Sequence, residues 1–320
     1  MYPAWATGGR EVFVAEACEA FRNLDALTPE IALITNVDDE HVNHYASQAA
    51  LEEAFTAFAR RAHRIVASAE DPGVQRLGLP RDQVVWFGLI PDCTVSAQPW
   101  PAPFAPCCDG VAFAPIELRQ PGDHMRRNAL AAIAACHLLG VAPEVMARGL
   151  ERFTGVARRW QELGEVSGIR VVDDYAHHPA EVATTLRAAR TVAPGRRLVA
   201  AFQPLLHSRV QRLQDEFAES LALADLVLLL DVDDDGENAR SAGSAAIAIG
   251  LRRRGITVIQ RGDADDLVHH ARSDLLAGDV LLVMGGAGMA GVAQRLHRQL
   301  AEEAPPVLSV PAATLTPQHW

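Results

Sequence analysis

The chain has 320 residues, 49% of them hydrophobic and 22% charged, which is room for two soluble domains of roughly 150 residues, each with its own core. A formal net charge of −11 leaves no broad basic footprint, so neither nucleic acid nor an anionic membrane surface is an expected partner. The five cysteines are odd in number and scattered, and nowhere do about 18 apolar residues run without a charge, so a reduced, cytoplasmic protein with no membrane span is expected.

Apolar runs of strand length alternate with longer stretches of helical period, the pattern of α/β folds with parallel sheets. In the first half the pattern predicts strands at 12–17 and 30–36, a helix over 47–62, and strands at 64–70 and 83–89. Residues 91–110 are rich in Pro and Cys and read as loop or irregular edge strand, because Pro cannot donate to a ladder. A helix follows over 124–140, closed by Gly140, and a short one runs from Pro143 to about Arg152. Beyond residue 153, strands at 169–174, 197–203, 225–232, 255–260 and 279–285 alternate with helices at 179–193, 207–222, 243–253, 264–276 and 288–302. Five strands so spaced describe one doubly wound domain. The expected division is therefore 1–152, 153–302 and a tail, 303–320, whose prolines and missing periodicity read as disordered.

In doubly wound sheets ligands sit at the carboxyl ends of the strands. Those ends carry "DDYAHH", "FQPLLHSR", "DVDDDGENARS" and "GGAGMAG". Singly, Asp173 and Asp174 could cap a helix, and His177 and His178 could be surface residues; four together where a strand stops point to a site. Arg158 and Arg159, beside Trp160, fit either a surface basic pair or a grip on nucleotide phosphates and sugar. His124 and Asn128 are four apart and share a helical face; the Asn amide suits an adenine edge or a cap equally well. Glu16, and the run Asn36, Asp38, Asp39, Glu40 and His41, could help hold a divalent cation or form solvated turns. In "GGAGMAG" the glycines fit close helix-on-sheet packing better than a phosphate turn.

Taken in order, "VAEA", "ITNVDDEHVNHY", "GDHMRRNALAAIA", "FTGVARRWQELGE", "DDYAHHPAEV" and "FQPLLHSR" resemble the Mur ligases, ATP-dependent amide-forming enzymes that build the peptide of peptidoglycan precursors. The resemblance runs from about residue 11 to 302, and "DDYAHHP" with "FQP" and "SR" downstream is most similar to the alanine-adding branch. It implies the distal part of a Mur-type central ATPase domain, followed by a Rossmann-like C-terminal domain. It also implies ATP and Mg2+ as cofactors, and L-alanine joined to UDP-N-acetylmuramate through an acyl phosphate. On matching positions, Glu16 and His41 would be magnesium ligands, and His124 and Asn128 would face the adenine. Arg159 and Asp174 would hold ribose and phosphates, His177 and His178 would lie near the reacting carboxylate, and Arg209 would pair with the carboxylate of the incoming amino acid. The "DDYAHH" stretch would then face a cleft between the domains.

The sequence also departs from the family pattern. It contains no G-x-x-x-x-G-K-[ST], so the expectation is a chain that begins partway through the central domain, lacking the UDP-binding domain and P-loop. A separate P-loop-bearing N-terminal half is then an expected partner. "CEAFR" stands where the family has an acidic run, Met125 where Asn is usual, and Leu205-Leu206 where the alanine-adding enzymes carry His-Arg. Two further readings stay open: a non-catalytic relative that binds nucleotide, wall precursor or a partner protein, and one half of a split enzyme.

Overall fold

The computed structural model describes residues 5–7, 12–38, 45, 47–234 and 243–302; Asp39, Glu40, His41 and the tail 303–320 lie outside the described residues. Chain contacts divide it into two compact units, Met1–Val156 and Ala157–Trp320.

The first unit contains β1 (Trp5–Thr7), β2 (Phe13–Ala15), β3 (Ile31–Ile34), α1 (Gln48–Arg60), β4 (Arg64–Ser68), α2 (Pro72–Arg76), β5 (Val84–Gly88), β6 (Val95–Ser96), β7 (Cys107–Cys108), β8 (Val111–Ala112), α3 (Asp123–Leu138) and α4 (Pro143–Arg152). One sheet runs β3-β4-β5-β6-β7-β8, parallel as far as β6 and antiparallel after it. The Pro-rich stretch thus supplies short edge strands, as its composition suggested. The apolar run at 12–17 instead forms a two-stranded antiparallel ribbon with β1.

Alternation along β4 explains the layers of this unit. Ile65 and Ala67 pack with Leu51 of α1 and Val74 of α2, whereas Val66 packs with Leu130 and Ile133 of α3. Ser47 caps α1 by accepting from Ala50 N–H at 3.2 Å. Asp71 caps α2 and also takes the N–H of Val37 at 3.1 Å, tying the segment after β3 to the start of that helix.

The second unit contains β9 (Gln161–Val166), β10 (Ile169–Asp174), α5 (Pro179–Val192), β11 (Leu198–Gln203), α6 (His207–Leu221), β12 (Leu226–Leu230), α7 (Ala245–Arg253), β13 (Thr257–Arg261), α8 (Ala264–Asp274), β14 (Val280–Gly285) and α9 (Val292–Glu302). Strand order is β13-β12-β11-β14-β10-β9, parallel except for β9. Val172, Ala200, Phe202, Leu229 and Met284 face α5, α6 and α7, while Val171, Val199, Ala201, Leu228 and Val283 face α8 and α9. Both faces being covered is why these strands read as unbroken apolar runs.

The sixth strand, β9, corrects the count of five. "QELGEV" is a half-exposed antiparallel edge, and its ladder shifts register between Val171 and Val172. Gly164 sits at that irregularity with φ +110°, a conformation that favours glycine.

Candidate functional site

The site is built outward from β10. Its last two residues, Asp173 and Asp174, are buried, and the chain turns through Tyr175 and Ala176 into α5, with Pro179 in the first turn. The first N–H groups of a helix have no partner within it. Here Glu181 supplies one: its Oε2 accepts from His177 N–H at 2.9 Å and His178 N–H at 3.2 Å. The same carboxylate lies 3.4 Å from His177 Nδ1, and its other oxygen lies 3.6 Å from Arg159. His177 Nδ1 is also 2.9 Å from the Tyr175 carbonyl, and its ring meets Tyr175 edge-on at 5.2 Å.

The two aspartates have different tasks. Asp174 Oδ2 accepts from Trp160 N–H at 2.8 Å and Oδ1 from Ala176 N–H at 2.9 Å, so its carboxylate faces the main chain. Burial pushes the Asp174 carboxyl above its ordinary range, and those two N–H groups pull it back in part. Asp173, fully buried, takes Arg158 Nε at 3.3 Å and Gln294 Nε2 at 3.3 Å. Burial raises this carboxyl as well, against the Arg158 charge.

Arg158 and Trp160 have φ of +57° and +48°, unusual for residues with side chains. The Asp174 and Asp173 bonds hold the loop in that shape, as does Arg158 Nη2 donating to the Gly285 carbonyl at 2.7 Å. Tyr175 stacks beneath both guanidiniums, 4.7 Å from Arg158 and 5.6 Å from Arg159. Arg158 is fixed by these partners, while the Arg159 side chain is 52% exposed and able to meet an anion.

Arg209 lies buried in the first turn of α6, beyond the end of β11, which β14 separates from β10. The glycine-rich turn after β14 works by close packing: a Cβ on Gly288 would lie 2.5 Å from both Asp233 Oδ2 and Gln203 Oε1. Glu181, Tyr175 and Gln294 were not anticipated. Glu181 carried a signal, an acid three residues past the residue before Pro179.

His124 and Asn128 belong to the first unit. Asn128 is exposed on α3, with Nδ2 3.8 Å from Met125 Sδ, and His124 is half-buried one turn earlier. The arginines between them are structural. Arg126 donates to the Gln98 carbonyl at 2.7 Å and the Ala102 carbonyl at 2.5 Å, and Arg127 meets Glu70 at 2.9 and 3.2 Å. Burial is the largest single influence on Glu70 and raises it, but Arg127 and the Leu89 N–H together leave its carboxyl below the ordinary 4.5. A depressed carboxyl contributes stability above its unfolded value and loses it as pH falls through the folded one. The stability gap between wild type and Glu70→Gln is therefore expected to close as pH drops below 4.5, read from urea midpoints across an acid series.

Glu16 lies exposed in the irregular segment after β2. Its expected partner, His41, lies outside the described residues. Among the described residues no group of three His, Cys, Asp or Glu side chains could hold a metal ion. In the second unit the exposed guanidinium of Arg159 is suited to an anion such as a nucleotide phosphate.

The Mur ligase middle domain matches residues 5–136 and the Mur ligase glutamate ligase domain matches residues 158–287. The UDP-N-acetylmuramate--L-alanine ligase of Burkholderia cenocepacia is 35% identical over 315 residues, 93% of this chain and 68% of that protein. The chain belongs to the Mur ligase family. Another such ligase, from Acidothermus cellulolyticus, is 39% identical over 294 residues, 88% of this chain and 62% of that protein. The solved MurC from Thermotoga maritima, a UDP-N-acetylmuramate-alanine ligase, matches with a TM-score of 0.71 at 25% identity, covering 89% of this chain and 62% of that one. This Mur ligase chain thus spans about two thirds of the length of its relatives.

Proposed function

We propose that this chain is the distal part of an ATP-dependent ligase that adds L-alanine to UDP-N-acetylmuramate through an acyl phosphate. Residues 1–152 would belong to the central domain and 153–302 would be the C-terminal domain. The observation that carries this reading is the grouping of Arg158, Arg159, Asp174, His177 and His178 at the end of β10, in a chain whose relatives of that activity match about nine tenths of its length. ATP would supply the phosphoryl group that activates a carboxylate. Arg159 would meet the nucleotide's phosphates and sugar, and Asp174 would act through the loop it shapes. His124 and Asn128 would face the adenine, and Arg209 would receive the carboxylate of the amino acid. His177 and His178, aimed by Glu181, would lie beside the reacting carboxylate, where positioned donors favour developing negative charge. Glu16 and His41 would hold Mg2+, which would offset charge on the nucleotide's phosphates. No helix among the described residues is long and apolar enough to cross a membrane, which fits a cytoplasmic enzyme of precursor synthesis.

The test is phosphate release with UDP-N-acetylmuramate, ATP, Mg2+ and a panel of amino acids, with and without an added P-loop-bearing N-terminal half. Release with alanine is expected once that half is present, and His178→Ala is expected to slow it by about a hundredfold. A reconstituted pair silent with every amino acid would remove the ligase reading. Leu205, packed against Gly286 where the family carries a cation, favours a second reading, a non-catalytic or split relative that binds nucleotide, wall precursor or a partner protein. Nucleotide binding seen by calorimetry, with no phosphate release in that assay, would support it.

A further inference from the structure

We infer that Asp233 is a positioning residue that joins the segments following β11, β12 and β14 into one rigid rim and thereby fixes Arg209. Among the described residues three bonds converge on it. Its N–H donates to the Pro204 carbonyl at 2.9 Å, its own carbonyl accepts from Leu206 N–H at 2.8 Å, and its Oδ2 accepts from Gly288 N–H at 3.2 Å. The first two form a one-residue parallel bridge between Leu205 and Asp233, an extension of the sheet beyond the regular ends of β11 and β12. That bridge holds Leu206 at φ +66° and ψ +124°, a conformation that a branched side chain adopts only under constraint. Leu206 is the residue on which α6 begins, and Arg209 sits in the first turn of that helix. The backbone path through Leu206 therefore sets where α6 starts, and with it the place of the buried Arg209.

The carboxylate of Asp233 adds the third segment. Gly288 approaches so closely that a side chain there would collide with both Asp233 Oδ2 and Gln203 Oε1. Gln203 reaches across to the Asp231 carbonyl at 3.3 Å, which brackets the same junction from the β11 side. An acidic residue in "DVDDDGE" would pass for part of a solvated turn, yet here one of its members touches three loops at once.

The functional consequence rests on the ligase reading: Asp233 would govern affinity for the amino acid and leave nucleotide affinity alone. Amide hydrogen exchange on the full chain tests the geometry without any turnover. Asp233→Ala removes the Gly288 acceptor and keeps both main-chain bonds, so it is expected to speed exchange at Gly288 by about tenfold and at Leu206, through the loosened bridge, by about threefold, while Asp233→Asn, which keeps one carbonyl acceptor, should stay within about twofold of wild type at both. In the reconstituted turnover assay, Asp233→Ala is expected to raise KM for the amino acid about tenfold and to change kcat and KM for ATP by less than about twofold. Unchanged exchange at Leu206 would overturn the inference, and so would an equal rise in both KM values. If wild type itself does not turn over, the ligase reading fails and exchange at Leu206 alone decides the positioning role.

Discussion

Replacing Arg158 with alanine is expected to cost about 3–5 kcal/mol of folding stability, because it leaves the buried carboxylate of Asp173 without its compensating charge. Gln294 would remain on Asp173 Oδ2, but a neutral amide offsets only part of that loss. The pH dependence follows from Asp173. Burial already raises its carboxyl above the ordinary 3.8, so the folded chain binds the proton more tightly than the unfolded one, and stability falls as pH rises through that window. Without Arg158 the window extends further upward. The deficit of Arg158→Ala should thus be small below pH 3.8 and grow as pH rises above it. Urea unfolding of both proteins across that range measures this, and a deficit independent of pH would contradict the assignment. Arg158→Lys should recover part of the loss, since it restores charge but neither the bond to Gly285 nor the flat stacking on Tyr175.

Asp174→Ala is the second large effect, about 3–4 kcal/mol, since it strands the N–H groups of Trp160 and Ala176, and a buried donor left unpaired costs roughly 1–3 kcal/mol. Trp160 has φ +48° and is buried, so its backbone depends on that acceptor to stay where it is. Once released, the loop no longer presents Arg159 in a fixed place. Affinity for ATP, measured by calorimetry on the reconstituted protein, should fall by about tenfold or more. Asp174→Asn should be milder, because its carbonyl can still take one N–H while its amino group faces the other. If Asp174→Ala unfolded at the wild-type urea concentration, the main-chain role given to this carboxylate would be wrong.

Much of the fold could be read from the sequence because strands covered on both faces leave an unmistakable run of Val, Leu and Ala, as in "LVAAF" and "LVLLL". The antiparallel edge β9 could not: no residue of "QELGEV" is fully buried, and its polar residues look like a turn. The gathering of Asp173, Asp174, His177 and His178 where β10 ends and α5 starts was legible, because an apolar run followed by Pro179 marks that junction. Residues that act through the main chain left weaker traces. Glu181 looks like any first-turn acid, and Asp233 like one more charge in an acidic run. Arg126 and Arg127 sit inside a recognisable segment yet serve the loop at 98–104 and Glu70, a division that spacing alone cannot draw.

One oxygen of Glu181 receives two consecutive amides, and this makes the His177 imidazole separable from the framework that points it. Exchanging the His177 ring leaves those two amide bonds in place, so such a variant should stay folded, whereas the His178 ring also faces the Glu181 N–H and is one half of the cap. Exchanging the acid unclasps both rings together. His177 can thus be dissected by itself, with the carboxylate as an independent control for orientation.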